Sequence, residues 1–302
     1  MLILLLLAIE TAGLSADQGT QASKAAEVLQ DAKVLIQTGQ VLRARQLAEQ
    51  VRNQDFPDAS IQNELGKVFE STGDLPQAQA AYRRSVALDP LNEDYCLDLV
   101  SLLLLLDQPH EALSLLRGAI GRLPNSYPLR LALGTALEAS GEKNEALHIF
   151  EQATQKDPDR APAYVLYGKL ASLMGKTEAA VRALRKAVQI DRTDARARYH
   201  LGLAQRKAGR PNRECLEEFR KAIEIDPHYS LARFELAKGL ERENRLSEAV
   251  AEYQRTLKDD PSLMQAHYRL YESYKKLGLE EKAQEELKAF RTSQEPTKIR
   301  PM

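Results

Sequence analysis

From about residue 25 onward, apolar residues return every three or four positions in runs separated by short polar breaks, the period of an amphipathic helix and not of a strand. The stretch after residue 126 shows the pattern best. YPLRLALGTALEAS carries one apolar stripe, Gly141-Glu142-Lys143 interrupts it, NEALHIFEQATQKD carries a second, and Pro158 closes it. Gly after the first run permits the left-handed conformation that ends a helix. Pro after the second cannot continue one and disfavours helix in the residue before it. The pattern therefore predicts two helices joined by a tight turn.

That pair recurs. Pro90, Pro124 and Pro158 lie 34 residues apart, and Pro261 follows after three further periods plus one residue. The extra residue belongs in the turn after Gly209, which precedes Cys215 by six positions where Gly73–Ala78, Gly141–Ala146 and Gly175–Ala180 are separated by five. Units start near residues 25, 59, 93, 127, 161, 195, 230 and 264, so eight of them fill residues 25–297. Residues 1–24 form a hydrophobic N-terminal segment with a linker, and 298–302 a short tail. Self-similarity at a fixed period is the mark of a stacked repeat architecture, in which each unit buries its apolar face against its neighbours.

The repeat resembles the tetratricopeptide family, which favours Leu at position 7 of each unit, Gly or Ala at 8, a large apolar residue at 11, Ala at 20, an aromatic at 24, Ala at 27 and Pro at 32. The unit at 127 supplies Leu133, Gly134, Leu137, Ala146, Phe150, Ala153 and Pro158. The unit at 59 supplies Leu65, Gly66, Phe69, Ala78, Tyr82, Ser85 and Pro90, and the unit at 230 follows with Leu236, Ala237, Leu240, Ala249, Tyr253, Thr256 and Pro261. Position 4 departs from the family: Gln62, Cys96, Arg130, Tyr164, Arg198, Arg233 and His267 stand where a large residue such as Trp is usual. The first unit is degenerate, with Asp31 at position 7, and the last helix is polar, as end units facing water require. The resemblance implies an all-α fold, a right-handed superhelical solenoid of antiparallel helix pairs, with a binding role and no catalysis.

Charge changes this picture little. Forty-two Lys and Arg stand against 43 Asp and Glu, a formal charge of −1, without the basic surplus that phosphate neutralisation demands, so nucleic acid is not an expected partner. Cys96 and Cys215 are too far apart in sequence for a zinc motif, and the five histidines fall in five different units with no second ligand three or four residues away, so no metal or other cofactor is expected. No phosphate loop or nucleophile elbow occurs. The carboxylate pairs Glu217-Glu218 and Glu285-Glu286 read as solvated faces of second helices. A non-enzyme is expected.

The family's concave face is lined by positions 2, 5, 9, 12 and 13 of the first helices. Position 5 holds Leu97, Leu131, Val165, Tyr199, Phe234 and Tyr268, an apolar ribbon and a candidate recognition surface. Packing between units is the competing explanation of these residues. Lys169, Arg206, Lys238 and Arg242 add positive charge toward the C-terminal units, interrupted by Glu241 and Glu272. The expected ligand is a peptide or protein segment with apolar anchors and acidic groups. The family's dicarboxylate clamp, with Lys at 5 and Asn at 9, is not met: those positions carry Asn63 and Lys67, or Leu97 and Ser101. Self-assembly into a structural array, or service as a recognition fragment of a multi-domain enzyme such as a glycosyltransferase or protease, are the alternatives.

The segment MLILLLLAI at residues 1–9, followed by small residues, has the length of a signal-peptide core and falls short of the roughly 20 apolar residues that span a bilayer. It lacks a preceding Lys or Arg, and a greasy helix over the first unit is the alternative. An exported location, periplasmic or secreted, follows from a signal peptide, and a cytoplasmic one without it.

Overall fold

The computed structural model describes residues 21–54 and 56–294, so the apolar run at residues 1–9 lies outside the described residues. Every element in the described residues is helical. In chain order they are α1 (residues 21–37), α2 (Val41–Arg52), α3 (Ala59–Ser71), α4 (Leu75–Leu88), α5 (Glu93–Leu105), α6 (Pro109–Arg122), α7 (Tyr127–Ala139) and α8 (Lys143–Lys156). Then follow α9 (Ala161–Leu173), α10 (Thr177–Ile190), α11 (Ala195–Lys207), α12 (Asn212–Ile225), α13 (Ser230–Arg242), α14 (Leu246–Asp259), α15 (Met264–Lys276) and α16 (Glu280–Gln294). Two compact units divide the chain, one up to Ile149 and one from Phe150, here the N- and C-terminal halves. Within each half, helices consecutive in sequence pack on one another.

The turns inside the pairs obey one rule. Six place a glycine at positive φ, among them Gly141 at 87°, and two place Asp107 and Asn244 there at 55° and 59°. Asn and Asp are the side chains that best tolerate this region, so both turns close without glycine. The α11–α12 turn carries one more residue than its counterparts: Pro211 precedes the helix, and Asn212 begins it. At the start of the first helices, Asp58 accepts hydrogen bonds from the Ser60 and Ile61 backbone N–H at 2.9 and 3.0 Å, and Asn92, Ser126 and Asp194 cap α5, α7 and α11 the same way.

Packing within a pair sets a large side chain of the second helix against the backbone of the first. Tyr82, Leu116, Leu184, Phe219 and Tyr253 are fully buried at equivalent places, beside Ala residues with no exposed surface. The approach is so close that a Cβ on Gly66 would stand 2.5 Å from the Tyr82 ring, and one on Gly202 2.7 Å from Phe219.

Position 4, where the sequence departs from its family, has a structural role of its own. Arg130, Arg198 and Arg233 each donate to the backbone carbonyl six residues earlier, of Pro124, Arg192 and Pro227, and Gln62 Nε2 does so to Phe56 at 2.8 Å. In the C-terminal half the same side chains also reach the second helix: Arg198 pairs with Glu218 at 3.1 Å, Arg233 with Glu252 at 2.9 Å and His267 with Glu286 at 2.6 Å. This corrects the reading of the carboxylate pairs. Glu217 and Glu285 face water, but Glu218 and Glu286 turn inward to a basic partner, because only one member of an adjacent pair can lie on the buried stripe of a helix.

Candidate functional site

In the N-terminal half the first-helix face is electrically closed. Lys33 and Lys67 both pair with Glu64, Lys67 also lies 3.4 Å from Asp98, and Asn63 donates to Asp98 at 2.9 Å. Burial alone would raise the Glu64 pKa, but the hydrogen bonds from Lys33 and Lys67 more than reverse it and hold the carboxyl below its ordinary range. Leu97 and Leu131 are half-buried there, and Leu105 is 65% exposed.

The corresponding face of the C-terminal half carries the rest of the apolar ribbon. Val165 is half-buried against a small core with Ala161, Ala187 and Ala197. Tyr199 stacks on Phe219 and Tyr229 with ring centroids 6.1 and 5.2 Å away, and Phe234 on Tyr253 at 5.7 Å. Tyr268 is the exposed member of the ribbon, at 43%, its ring resting on Phe290 and Tyr271. These side chains therefore pack with one face and show water the other. A glutamate at Tyr199 or Phe234 would unsettle the core as well as the surface, and Tyr268 is the cleaner position for a probe.

Four residues at one register, the ends of the four first helices, reveal a gradient. Leu173 is 60% exposed, and Lys207, Arg242 and Lys276 follow it, all exposed. The face thus changes from apolar to cationic across the half. Leu173 escaped the sequence reading because it sits at the edge of a helix that is apolar almost all round, APAYVLYGKLASL, which gives little periodic contrast.

The basic residues expected in the groove do not act alike. Arg206 and Lys238 share Glu235, Lys238 at 2.9 Å, and Lys238 Nζ also stands 5.2 Å from the Phe234 ring centroid. Burial would raise the Glu235 pKa, yet these two hydrogen-bonded cations drive it down, so the carboxylate stays charged and holds both in place. Glu235 was missed in the sequence because it lies beside position 5 on the helix and its pairing with Arg206 reaches across to α11. Arg242 has no ion pair or hydrogen bond among the described residues. Lys169 stands close enough to His200 to disfavour its protonation.

His200 carries a pH dependence. Burial pushes its pKa below the ordinary 6.5, and Lys169 adds to the effect. As pH falls, the unfolded chain takes up this proton first, so the stability His200 protects is full above pH 6.5 and drains as pH drops through that value. His200→Gln is expected to flatten the fall in Tm between neutral and mildly acid buffer; equal slopes for the two chains would show that His200 is not the sensor.

Among the described residues no group of three or more His, Cys, Asp or Glu could hold a metal ion, and no helix is long and apolar enough to cross a membrane. Burial pushes the Cys96 thiol up to about 11, and Cys215 is raised by the same cause, so neither is disposed to react as a thiolate.

Family models described as tetratricopeptide repeats match residues 29–93, 103–170 and 173–209, together more than half of the chain. The human protein O-mannosyl-transferase TMTC3 is 30% identical over 115 residues, which are 38% of this chain and 13% of that protein. Human DnaJ homolog subfamily C member 3 is 33% identical over 97 residues, 32% of this chain and 19% of that protein. The chain thus spans less than a fifth of either relative. Among solved structures, MamA superposes with a TM-score of 0.51 at 22% identity over 54% of this chain and 95% of that one. The APC/C hetero-tetramer Cut9–Hcn1 does so at 0.56 and 16% identity, over 76% of this chain and 46% of that one. Both likenesses are of fold. On its repeats and their packing, the chain belongs to the tetratricopeptide repeat family.

Proposed function

We propose that this protein is a non-catalytic interaction scaffold whose C-terminal half holds a peptide or protein segment along its first-helix face. Apolar side chains of the ligand lie against Val165, Tyr199, Phe234 and Tyr268, and its acidic groups lie toward Lys169, Lys238 and Arg242. The change along one register from exposed Leu173 to exposed Lys207, Arg242 and Lys276 supports this reading, since an apolar patch beside positive charge, with Arg242 unpaired among the described residues, is a surface for something else to cover. On the first-helix face of the N-terminal half, Lys33, Glu64, Lys67 and Asp98 are already paired with one another. The apolar run at residues 1–9 supports a place outside the cytoplasm, periplasmic or secreted. A second reading, in which such an array recognises substrates for an attached enzyme, draws on the partial likeness to an O-mannosyl-transferase.

The test is a photocrosslinking benzoylphenylalanine at Tyr268, with the same residue at the exposed Gln189 of α10 as reference. Adducts with a defined protein are expected from Tyr268 and not from Gln189. Adducts from Gln189 alone, or equally from both, would move recognition to the second helices and defeat the groove reading.

A further inference from the structure

Between α13 and α15 lies a cavity of about 190 Å³ lined by Lys238, Glu241 and Arg242 from one helix and Arg269 and Lys276 from the other. Four cations surround one carboxylate. Glu241 forms the floor: its side chain is 10% exposed, it accepts from the Tyr253 hydroxyl at 3.1 Å and from Lys276 Nζ at 2.8 Å, and Arg269 Nη1 stands 3.8 Å away. Held from below by a buried tyrosine, this carboxylate positions two cations at the rim and has nothing left for the others. Lys238 is committed to Glu235, which Arg206 also holds. Arg242 is exposed and has no ion pair or hydrogen bond among the described residues. Positive charge therefore exceeds negative around a concavity whose two guanidinium groups suit the paired oxygens of a carboxylate or phosphoryl group. The cavity also adjoins the apolar ribbon, since Lys238 lines it while resting over Phe234.

We propose that this cavity binds an anionic oxygen group borne by a side chain of the groove's peptide ligand, next to the apolar residue that packs on Phe234 and Tyr268. The inference rests on the groove reading above and adds its specificity: apolar anchor first, anion at a fixed distance from it. An acidic residue and a phosphorylated serine or threonine share the chemistry, and the test separates them.

A displayed library of short random peptides is selected against the full chain and against Arg242→Glu. Arg242 has no partner to lose, so this variant keeps its fold, which circular dichroism verifies. The unaltered chain is expected to enrich peptides with an apolar residue and, at constant spacing, an acidic one; the variant is expected to keep the first preference and lose the second. The best peptide is then made with Glu, phosphothreonine or Gln at the acidic position. Glu to Gln is expected to weaken binding about tenfold on the unaltered chain, less in high salt, and not at all on Arg242→Glu. Tighter binding of phosphothreonine than of Glu assigns the group to a phosphorylated residue, and the reverse to a carboxylate. Peptides selected for apolar residues without any acidic preference would overturn the cavity assignment and leave the groove reading intact. Selection of no peptide at all would overturn the groove reading and the cavity with it.

Discussion

Gly66→Val is expected to destabilise the N-terminal half by about 3 kcal/mol, near the top of the range for overpacking a filled core. Two effects oppose each other at this site. Replacing a mid-helix glycine with a better helix former gains about 1 kcal/mol or less, because glycine loses most backbone entropy on folding. Against that, even a single Cβ would stand 2.5 and 2.6 Å from two atoms of the Tyr82 ring. The ring cannot swing aside: Tyr82 is 1% exposed, and its hydroxyl is tied to Glu70 at 2.7 Å. The clash therefore wins, and Gly66→Ala shares its sign at smaller size. Gly118 in α6 provides the contrast. A Cβ there meets only an Arg122 guanidinium nitrogen at 3.8 Å, so Gly118→Ala is expected to show the entropic gain alone. Urea midpoints of the three variants decide the matter: a stable Gly66→Val chain would mean that α3 and α4 do not lie as close as described.

Arg233→Ala is expected to cost about 3 kcal/mol, the lower end for breaking a buried ion pair. Arg233 is enclosed by Glu252 at 2.9 Å, Asp259 at 3.6 Å and the Pro227 carbonyl, with side-chain exposures of 10, 16 and 14% for the three charged partners in that order. Removing the guanidinium leaves one backbone acceptor and two carboxylates short of a donor in a region with little water. The cost stays at the lower end because Glu252 keeps Arg255 at 2.7 Å and Asp259 keeps His228 at 2.9 Å. Arg233→Lys should recover part of the loss, since it retains charge without the fork that reaches three partners. A double-mutant cycle with Glu252→Gln isolates the pair. A cycle energy near zero would show that position 4 acts through packing alone.

These two sites mark the line between what sequence and tertiary structure each determined. The helix pairs, their turns and the small residue at Gly66 or Gly202 are legible in the chain because a local period dictates them: a stripe every three or four residues, a left-handed residue at each turn, a proline after most second helices. A repeated unit multiplies that signal, so even the added residue in the turn after Gly209 could be located by counting. The candidate ribbon from Leu97 to Tyr268 was read in the same way, as a register.

What the chain did not disclose is how each side chain is spent. Glu218 and Glu217 are neighbours of identical chemistry, yet one is half-buried against Arg198 and the other pairs with Lys221 at the surface. Arg206 and Lys238 looked like free groove charges and are held by Glu235, whereas Arg242, alike in sequence, has no partner. The pairs that cross from one helix to another depend on which helix faces bring opposite charges within a few ångströms, across separations of 20 residues for Arg198–Glu218 and 29 for Arg206–Glu235. Local periodicity fixes the face on which a residue lies. Only the packing of one helix against the next decides whether its charge is already answered.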